Sequence, residues 1–272
     1  MDSEALIKRL EKEIGKYPDA AVAFSGGVDS SVVAAIAKRA CKKALAITAD
    51  SPLLAKGELE NAKKVAKEIG IEHLVLYEDE LANAELVRND PDRCYFCKKA
   101  LFSKIRANIG KSAVVFDGSN ASEKSEHRPG MRAAKELGVV SPLIDAGISK
   151  KEIREMAKEL KLSNWDKPSM ACLASRVPYG TSISKGKVAK IDAAENALRA
   201  LGFSAVRVRD YEGLARIEIA PDAFALAIEK RGVIISSLKA LGYSYVTIDL
   251  EGYNPGSMNR TLKAERTQIS GL

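Results

Sequence analysis

With 272 residues, 46% of them hydrophobic, the chain is long enough to bury a sizeable core in one large domain or two modest ones. Its net charge of +7 suits a polyanion such as a tRNA and a small phosphorylated substrate equally well, so charge alone does not choose a partner. No apolar run approaches membrane-spanning length, and the opening Met1-Asp2-Ser3-Glu4 is acidic, which predicts neither a membrane span nor a signal peptide.

In chain order, Leu6, Ile7, Leu10 and Ile14 recur at helical spacing and predict an amphipathic first helix. Ala21-Val22-Ala23-Phe24 reads as a strand and Val32 to Ala40 as a helix. Ala44 to Ala49 reads as a second strand, Lys56 to Ile69 as a helix and His73 to Tyr77 as a third strand. Tyr95 to Ile109 reads as a helix and Ala113 to Phe116 as a fourth strand. Such alternation predicts an α/β fold with a parallel sheet covered by helices on both faces. Lys150 to Leu160 is another amphipathic helix, after which Ser163-Asn164-Trp165-Asp166-Lys167-Pro168 breaks the pattern and sets a boundary between domains 1–168 and 169–272. Beyond Thr181 the order changes: a helix from Lys187 to Leu201, strands over Val206–Arg209 and Ala215–Ile219, a helix from Asp222 to Leu241 and a strand from Tyr245 to Leu250. This predicts a smaller α+β domain with an antiparallel hairpin. There is no internal repeat or low-complexity segment, and the tail after Gly252 reads as loosely ordered.

The most informative stretch is Ser25-Gly26-Gly27-Val28-Asp29-Ser30-Ser31, set between the first strand and its helix. Two glycines allow a tight turn that points successive N–H groups at an anion, the positive end of the helix adds to the same field, and Ser25, Ser30 and Ser31 offer hydroxyls. A kinase-type P-loop needs a Lys before its final Ser or Thr, and none is present. The segment resembles instead the pyrophosphatase loop of the N-type ATP pyrophosphatase families, which cut ATP between the α and β phosphates. That resemblance implies ATP binding at Ala23, Phe24, Ser25, Gly26, Gly27, Asp29, Ser30 and Ser31, with Mg²⁺ alongside and Asp29 organising the loop or the metal. A glycine turn that binds nothing is the plain alternative. Ligands of parallel sheets sit beyond the carboxyl ends of the strands, the edge that also receives Asp50-Ser51 and Asp117-Gly118-Ser119-Asn120. These residue types are ordinary turn formers as well.

Four cysteines in a chain with no export signal favour reduced thiols, metal binding or redox chemistry in the cytoplasm over a disulfide framework. Cys94 and Cys97 form a Cys-x-x-Cys at a helix start, and Cys172 lies in Ala171-Cys172-Leu173-Ala174-Ser175-Arg176. A dithiol redox pair, a structural zinc site and an iron–sulfur cluster compete. Zinc is the least attractive, because neither His73 nor His127 has ligand-like spacing. Three thiolates on a cluster would leave one iron open to an exogenous ligand. Cys41, at the end of a helix, reads as a buried hydrophobe.

The Ser25–Ser31 loop combines with Asp117-Gly118-Ser119-Asn120-Ala121, Arg128-Pro129-Gly130-x-Arg132-Ala133, Gly138-Val139-Val140-Ser141-Pro142-Leu143 and Trp165-Asp166-Lys167-Pro168-x-x-Ala171-Cys172-Leu173-Ala174-Ser175-Arg176. This set resembles the LarE family over nearly the whole chain. The resemblance implies an ATP-dependent sulfur transferase of nickel-pincer cofactor synthesis, which adenylylates a carboxylate of pyridinium-3,5-biscarboxylic acid mononucleotide and converts it to a thiocarboxylate. It further implies that Cys94, Cys97 and Cys172 hold a [4Fe-4S] cluster whose fourth iron carries the sulfide donor, with Cys172 central to sulfur transfer. In single-cysteine members of the family the position matching Cys172 gives up its own sulfur. Ser175, Arg176, Glu195, Arg207 and Arg209 would line the mononucleotide site. Arg207 and Arg209 alternate along a strand and face one side, a fork for a phosphate or carboxylate whose plain alternative is a solvated strand face. The resemblance also implies a homo-oligomer in the cytoplasm that binds neither nucleic acid nor membrane. One departure is the stretch Ala121-Ser122-Glu123-Lys124-Ser125-Glu126-His127-Arg128, less acidic than the family pattern, so no metal ligand is assigned there. Two alternatives are a tRNA-thiolating enzyme of the same superfamily with an iron–sulfur cluster, and a non-catalytic nucleotide-binding redox sensor. No aromatic-and-basic RNA-binding module supports the former.

Overall fold

The computed structural model describes residues 2–123, 129–168, 170–254 and 256–260. The chain divides into two compact units, one of Met1–Glu80 with Cys94–Met170 and one of Leu81–Arg93 with Ala171–Leu272.

The elements run in chain order as α1 (Ser3–Ile14), β1 (Asp19–Ala23), α2 (Val28–Ala40), β2 (Lys43–Asp50), α3 (Glu58–Ile69), β3 (Glu72–Tyr77), α4 (Ala84–Val87), α5 (Arg93–Ala107), β4 (Val114–Phe116), α6 (Pro129–Glu136), β5 (Val139–Val140), α7 (Pro142–Asp145) and α8 (Lys150–Glu159). All strands of the first unit are parallel, in the order β3-β2-β1-β4-β5. Alternation along β1 decides which layer each side chain enters. Ala20 and Val22 join a core with Leu10, Ile14, Val33, Ile36 and Met156, whereas Ala21 joins Phe102, Ile105 and Val115 on the opposite face. The strand order reverses between β1 and β4, so the loops leaving those two strands border the crevice where such sheets receive ligands.

Strand β5, two residues long, carries no pattern strong enough to predict it. The helix expected from Lys150 is α8, and a capping box sets where it begins. The Ser149 N–H donates to Glu152 Oε2 at 2.8 Å, and the Glu152 N–H reaches back to Ser149 Oγ. Those backbone and hydroxyl donors hold the Glu152 carboxyl below the usual carboxylate range.

In the second unit α9 (Lys185–Ala200) is followed by β6 (Val206–Tyr211), β7 (Leu214–Ile219), α10 (Phe224–Glu229), α11 (Arg231–Ala240) and β8 (Tyr245–Ile248). Strands β6 and β7 form the expected antiparallel hairpin and β8 adds parallel to β7. The helix expected over Asp222–Leu241 is two, joined at Lys230 with φ −89° and ψ 9°. Ala227, Ile234 and Leu238 keep a helical stripe on the core through the break, so the hydrophobic pattern alone does not reveal it. Segment 81–93 belongs to this unit because Asn89, at φ 60°, donates its side-chain N–H groups to the carbonyls of Val177, Pro178 and Thr181. Among the described residues no helix is long and apolar enough to cross a membrane. Of the tail expected to be loosely ordered, Ser257–Asn259 form a 3-10 turn tied to the sheet, and residues 261–272 lie outside the described residues.

Candidate active site

The glycine loop stands at the carboxyl end of β1. Gly26 has φ +68°, and a Cβ there would lie 2.7 Å from Ala62 Cα, so only glycine lets α3 approach the loop this closely. Its carbonyl accepts from Asn61 Nδ2 at 3.0 Å and from Asn164 Nδ2 at 2.9 Å, and Asn164 also bonds Ser31 Oγ. The hydroxyls of Ser30 and Ser31 both donate to the Gly27 carbonyl, at 3.1 and 2.9 Å, while the Ser25 N–H donates to Ser30 Oγ. These bonds fold Ser25–Ser31 onto the first turn of α2. From the other side, the turn after β4 packs so closely that a Cβ on Gly118 would lie 2.8 Å from Ser30 N. The loops after β1 and β4 therefore meet at the reversal point of the sheet.

Asp29 lies in the first turn of α2. Its Oδ2 pairs with Lys150 Nζ, and its Oδ1 is buried with no hydrogen-bond partner among the described residues. An unspent carboxylate oxygen beside a phosphate-type loop suits a hard cation, so Asp29 fits Mg²⁺. No sequence motif marks Lys150. It is the first residue of α8, set by the capping box, and its own N–H donates to Ser122 Oγ at 3.1 Å. It brings to the loop a cation that the loop sequence lacks. Asn164 is, in the sequence, only part of a helix-breaking stretch, yet it is 4% exposed and clamps the loop.

Asp117 and Asn120 are buried and serve turns: Asp117 accepts from the N–H and hydroxyl of Ser119, and Asn120 Oδ1 accepts from the Ser122 N–H. Ser51 donates its hydroxyl to Glu80, a buried carboxyl that burial pushes above the ordinary range. Residues 124–128, including most of the less acidic stretch, lie outside the described residues.

Cys94 and Cys97 occupy the first turns of α5, half-buried, and belong to the first unit; Cys172 is exposed and belongs to the second. None of them forms a disulfide. Their i, i+3 spacing puts Cys94 and Cys97 on one helix face. Reduced thiols are the donor type that iron–sulfur clusters take. Among the described residues no group of three His, Cys, Asp or Glu side chains is placed to hold a metal ion. Cys41 packs half-buried against the core, and burial pushes its thiol up.

In the second unit Arg176 and Glu195 are both fully buried and pair through two bonds, Nε to Oε1 at 2.8 Å and Nη2 to Oε2 at 3.1 Å. Although burial alone would raise it, the Glu195 carboxyl is held below the usual range by Arg176, Arg207 and the Val208 N–H. Arg176 Nη1 donates to the carbonyls of Ala171 and Cys172, at 2.6 and 3.1 Å, and so fixes the backbone that carries Cys172. Ser175 is half-buried, and its hydroxyl donates to the Cys172 carbonyl at 2.8 Å. Arg207 and Arg209 are each 5% exposed, so this is no solvated strand face. Arg207 lies 5.0 Å from the Tyr253 ring centroid, and Arg209 pairs with buried Glu218 and donates to the carbonyl of Ser175 and the hydroxyl of Ser257.

The asparagine synthase family model matches residues 14–104, from the end of α1 into α5. An uncharacterized protein of Synechocystis sp. is 41% identical over 265 residues, 95% of this chain and 98% of that protein. The pyridinium-3,5-bisthiocarboxylic acid mononucleotide synthase of Lactiplantibacillus plantarum, a LarE protein, is 37% identical over 246 residues, 89% of either chain. This chain belongs to the LarE family. LarE proteins pair an ATP pyrophosphatase domain with sulfur transfer, and the parallel sheet and loop of the first unit are that domain. One component of the glutamine-hydrolysing GMP synthase of Methanocaldococcus jannaschii is 32% identical over 157 residues, 53% of this LarE chain and half of that protein.

Proposed function

We propose that the protein adenylylates a carboxylate of pyridinium-3,5-biscarboxylic acid mononucleotide and converts it to a thiocarboxylate. A carboxylate is a poor acyl donor because oxide is a poor leaving group. Attack of a carboxylate oxygen on the α-phosphorus of ATP releases pyrophosphate and leaves an acyl-adenylate. Attack of a sulfide sulfur on the acyl carbon then expels AMP and leaves sulfur in place of oxygen. The observation that carries this reading is the glycine-and-serine loop at the reversal point of the sheet, in a chain of the LarE family.

The first unit would perform the ATP step. Ala23 and Phe24 lead into the cradle, amides of Gly26 and Gly27 would receive the β and γ phosphates, and the hydroxyls of Ser25, Ser30 and Ser31 hold the turn. Asp29 would hold Mg²⁺, which neutralises charge on the phosphates. Lys150, paired with Asp29, would then turn its ammonium to the phosphate that develops charge.

The second unit would bind the mononucleotide around Ser175, Arg176, Glu195, Arg207 and Arg209. The Arg176–Glu195 pair fixes the Ala171 and Cys172 backbone, and Arg207 and Arg209 supply positive charge. Cys94, Cys97 and Cys172 would hold a [4Fe-4S] cluster, which when bound supplies sulfide at the iron that no protein thiolate holds. Assembly into a homo-oligomer and a cytoplasmic setting belong to the same reading. The test is pyrophosphate release by anaerobically reconstituted protein with ATP and Mg²⁺. Release is expected only when the pyridinium mononucleotide is added; release independent of it would contradict the proposal.

A further inference from the structure

The face of β6 that carries Arg207 and Arg209 holds a surplus of positive charge. Among the described residues three buried guanidiniums, Arg176, Arg207 and Arg209, meet two buried carboxylates, Glu195 and Glu218. The partly exposed Arg199 and Arg216 pair with the same two carboxylates and add to the cationic side. Asp210, buried on the opposite face of β6, is answered by Lys190 at 2.8 Å. Burial, with Arg176 nearby, pushes the Arg207 guanidinium below its ordinary value. Arg209 commits Nη1 to the Ser175 carbonyl and Nη2 to Glu218, while its buried Nε–H makes no hydrogen bond among the described residues. Buried cations in excess of carboxylates, with a donor in reserve, suit an anion.

Residues 252–254 and 256–260 lie over these guanidiniums. The Tyr253 ring centroid is 5.0 Å from Arg207, and the Ser257 hydroxyl accepts from Arg209 Nη2 at 3.1 Å and donates to Glu218 Oε1 at 2.9 Å. A ring face and a hydroxyl cover the cations without neutralising them. The remaining ties are polar as well: the Tyr253 N–H donates to the Ile219 carbonyl at 2.8 Å, and the Tyr179 hydroxyl to Asn259 Oδ1 at 3.1 Å. No described side chain of this cover joins the hydrophobic core of the unit, which α9, β6, β7, α10 and α11 fill. A segment held by polar contacts and not by core packing opens at low free-energy cost.

We propose that Tyr253 and Ser257 are placeholders, displaced from Arg207 and Arg209 when an anionic group of the mononucleotide binds there. The proposal rests on the mononucleotide site given under the proposed function and adds its control. The unliganded protein is closed, and its affinity for the substrate is reduced by the fraction of time for which the arginines are uncovered. Substitutions that weaken the cover therefore strengthen binding, whereas loss of a binding contact or of a purely structural one weakens it.

The test is isothermal titration calorimetry of the full chain with pyridinium-3,5-biscarboxylic acid mononucleotide, joined to hydrogen–deuterium exchange of the backbone around Tyr253 and Ser257. Ser257→Ala and Tyr253→Ala should each bind the mononucleotide about three- to tenfold more tightly than the wild type. Tyr253→Phe, which keeps the ring over Arg207, should match the wild type, and ATP affinity should stay constant in all three variants. In the wild type the Tyr253 amide should exchange faster once the mononucleotide is bound, because its bond to the Ile219 carbonyl breaks. Unchanged or weaker binding by either alanine variant, or slower exchange at Tyr253 on binding, would overturn the displacement and leave the site standing. Absence of binding by the wild type and both alanine variants alike would overturn the mononucleotide site, and the displacement with it.

Discussion

Replacing Gly26 with alanine adds one methyl group at the point where the loop and α3 touch. The new Cβ would lie 2.7 Å from Ala62 Cα and 3.0 Å from its N and Cβ, all atoms of a helix that cannot yield by rotating a side chain. Holding alanine at φ +68° costs about 1–2 kcal/mol, and relieving the overlap costs about 1–3 kcal/mol more. A loss of about 2–5 kcal/mol corresponds to roughly 5–15 °C in Tm for a protein of this size. Relief of the overlap also requires the loop to move by about 1 Å, enough to cost about a hundredfold in the adenylylation rate. The control is Gly70→Ala, at the far end of α3, where φ is +72° but nothing lies within 4 Å of the new Cβ. It should lose about 1–2 kcal/mol and keep full ATP binding. Differential scanning calorimetry and ATP titration on the two variants check this. A Gly26→Ala protein no less stable than Gly70→Ala, and with normal ATP affinity, would refute the close approach as the reason for glycine.

Lys150→Ala should slow pyrophosphate release by about a hundredfold or more in single-turnover assays, with Lys150→Arg recovering part of it, and an unchanged rate would remove Lys150 from the ATP step. Arg209→Ala should cost about 3 kcal/mol in urea denaturation, because it deprives the fully buried Glu218 of one cation, and an unshifted midpoint would show that the pair is not needed for folding. Burial holds the Glu80 carboxyl above its ordinary pKa, so as pH rises past the ordinary carboxylate range the unfolded chain ionises first and stability falls until the folded carboxyl ionises too. Glu80→Gln should flatten that decline; pH–stability curves that superimpose would contradict it.

The parallel sheet was legible because its strands are short apolar runs separated by helices whose faces repeat every three to four residues. The loop was legible because Gly26 and Ser25 carry their chemistry in local order. What escaped was non-local. Lys150 meets Asp29 across 121 positions, and Asn164 reaches Gly26 across 138, through bonds that no periodicity encodes. Segment 81–93 joins the second unit through the Asn89 side chain and carbonyls about ninety residues away. Alternation correctly put Arg207 and Arg209 on one face, opposite the core residues Val206 and Val208, but Glu218, Tyr253 and Ser257, which cover that face, come from later parts of the chain.

The most direct test of sulfur transfer is mass spectrometry of both product and protein after reaction with ATP, Mg²⁺, sulfide and pyridinium-3,5-biscarboxylic acid mononucleotide under anaerobic conditions. A thiocarboxylate product is expected in more than one equivalent per chain, with Cys172 intact, and activity should be lost for serine at Cys94, Cys97 or Cys172 but not at Cys41. Absence of any product in which sulfur replaces a carboxylate oxygen would contradict the proposed function. A single equivalent of product, with Cys172 reduced in mass by hydrogen sulfide, would make Cys172 the sulfur donor and contradict the cluster.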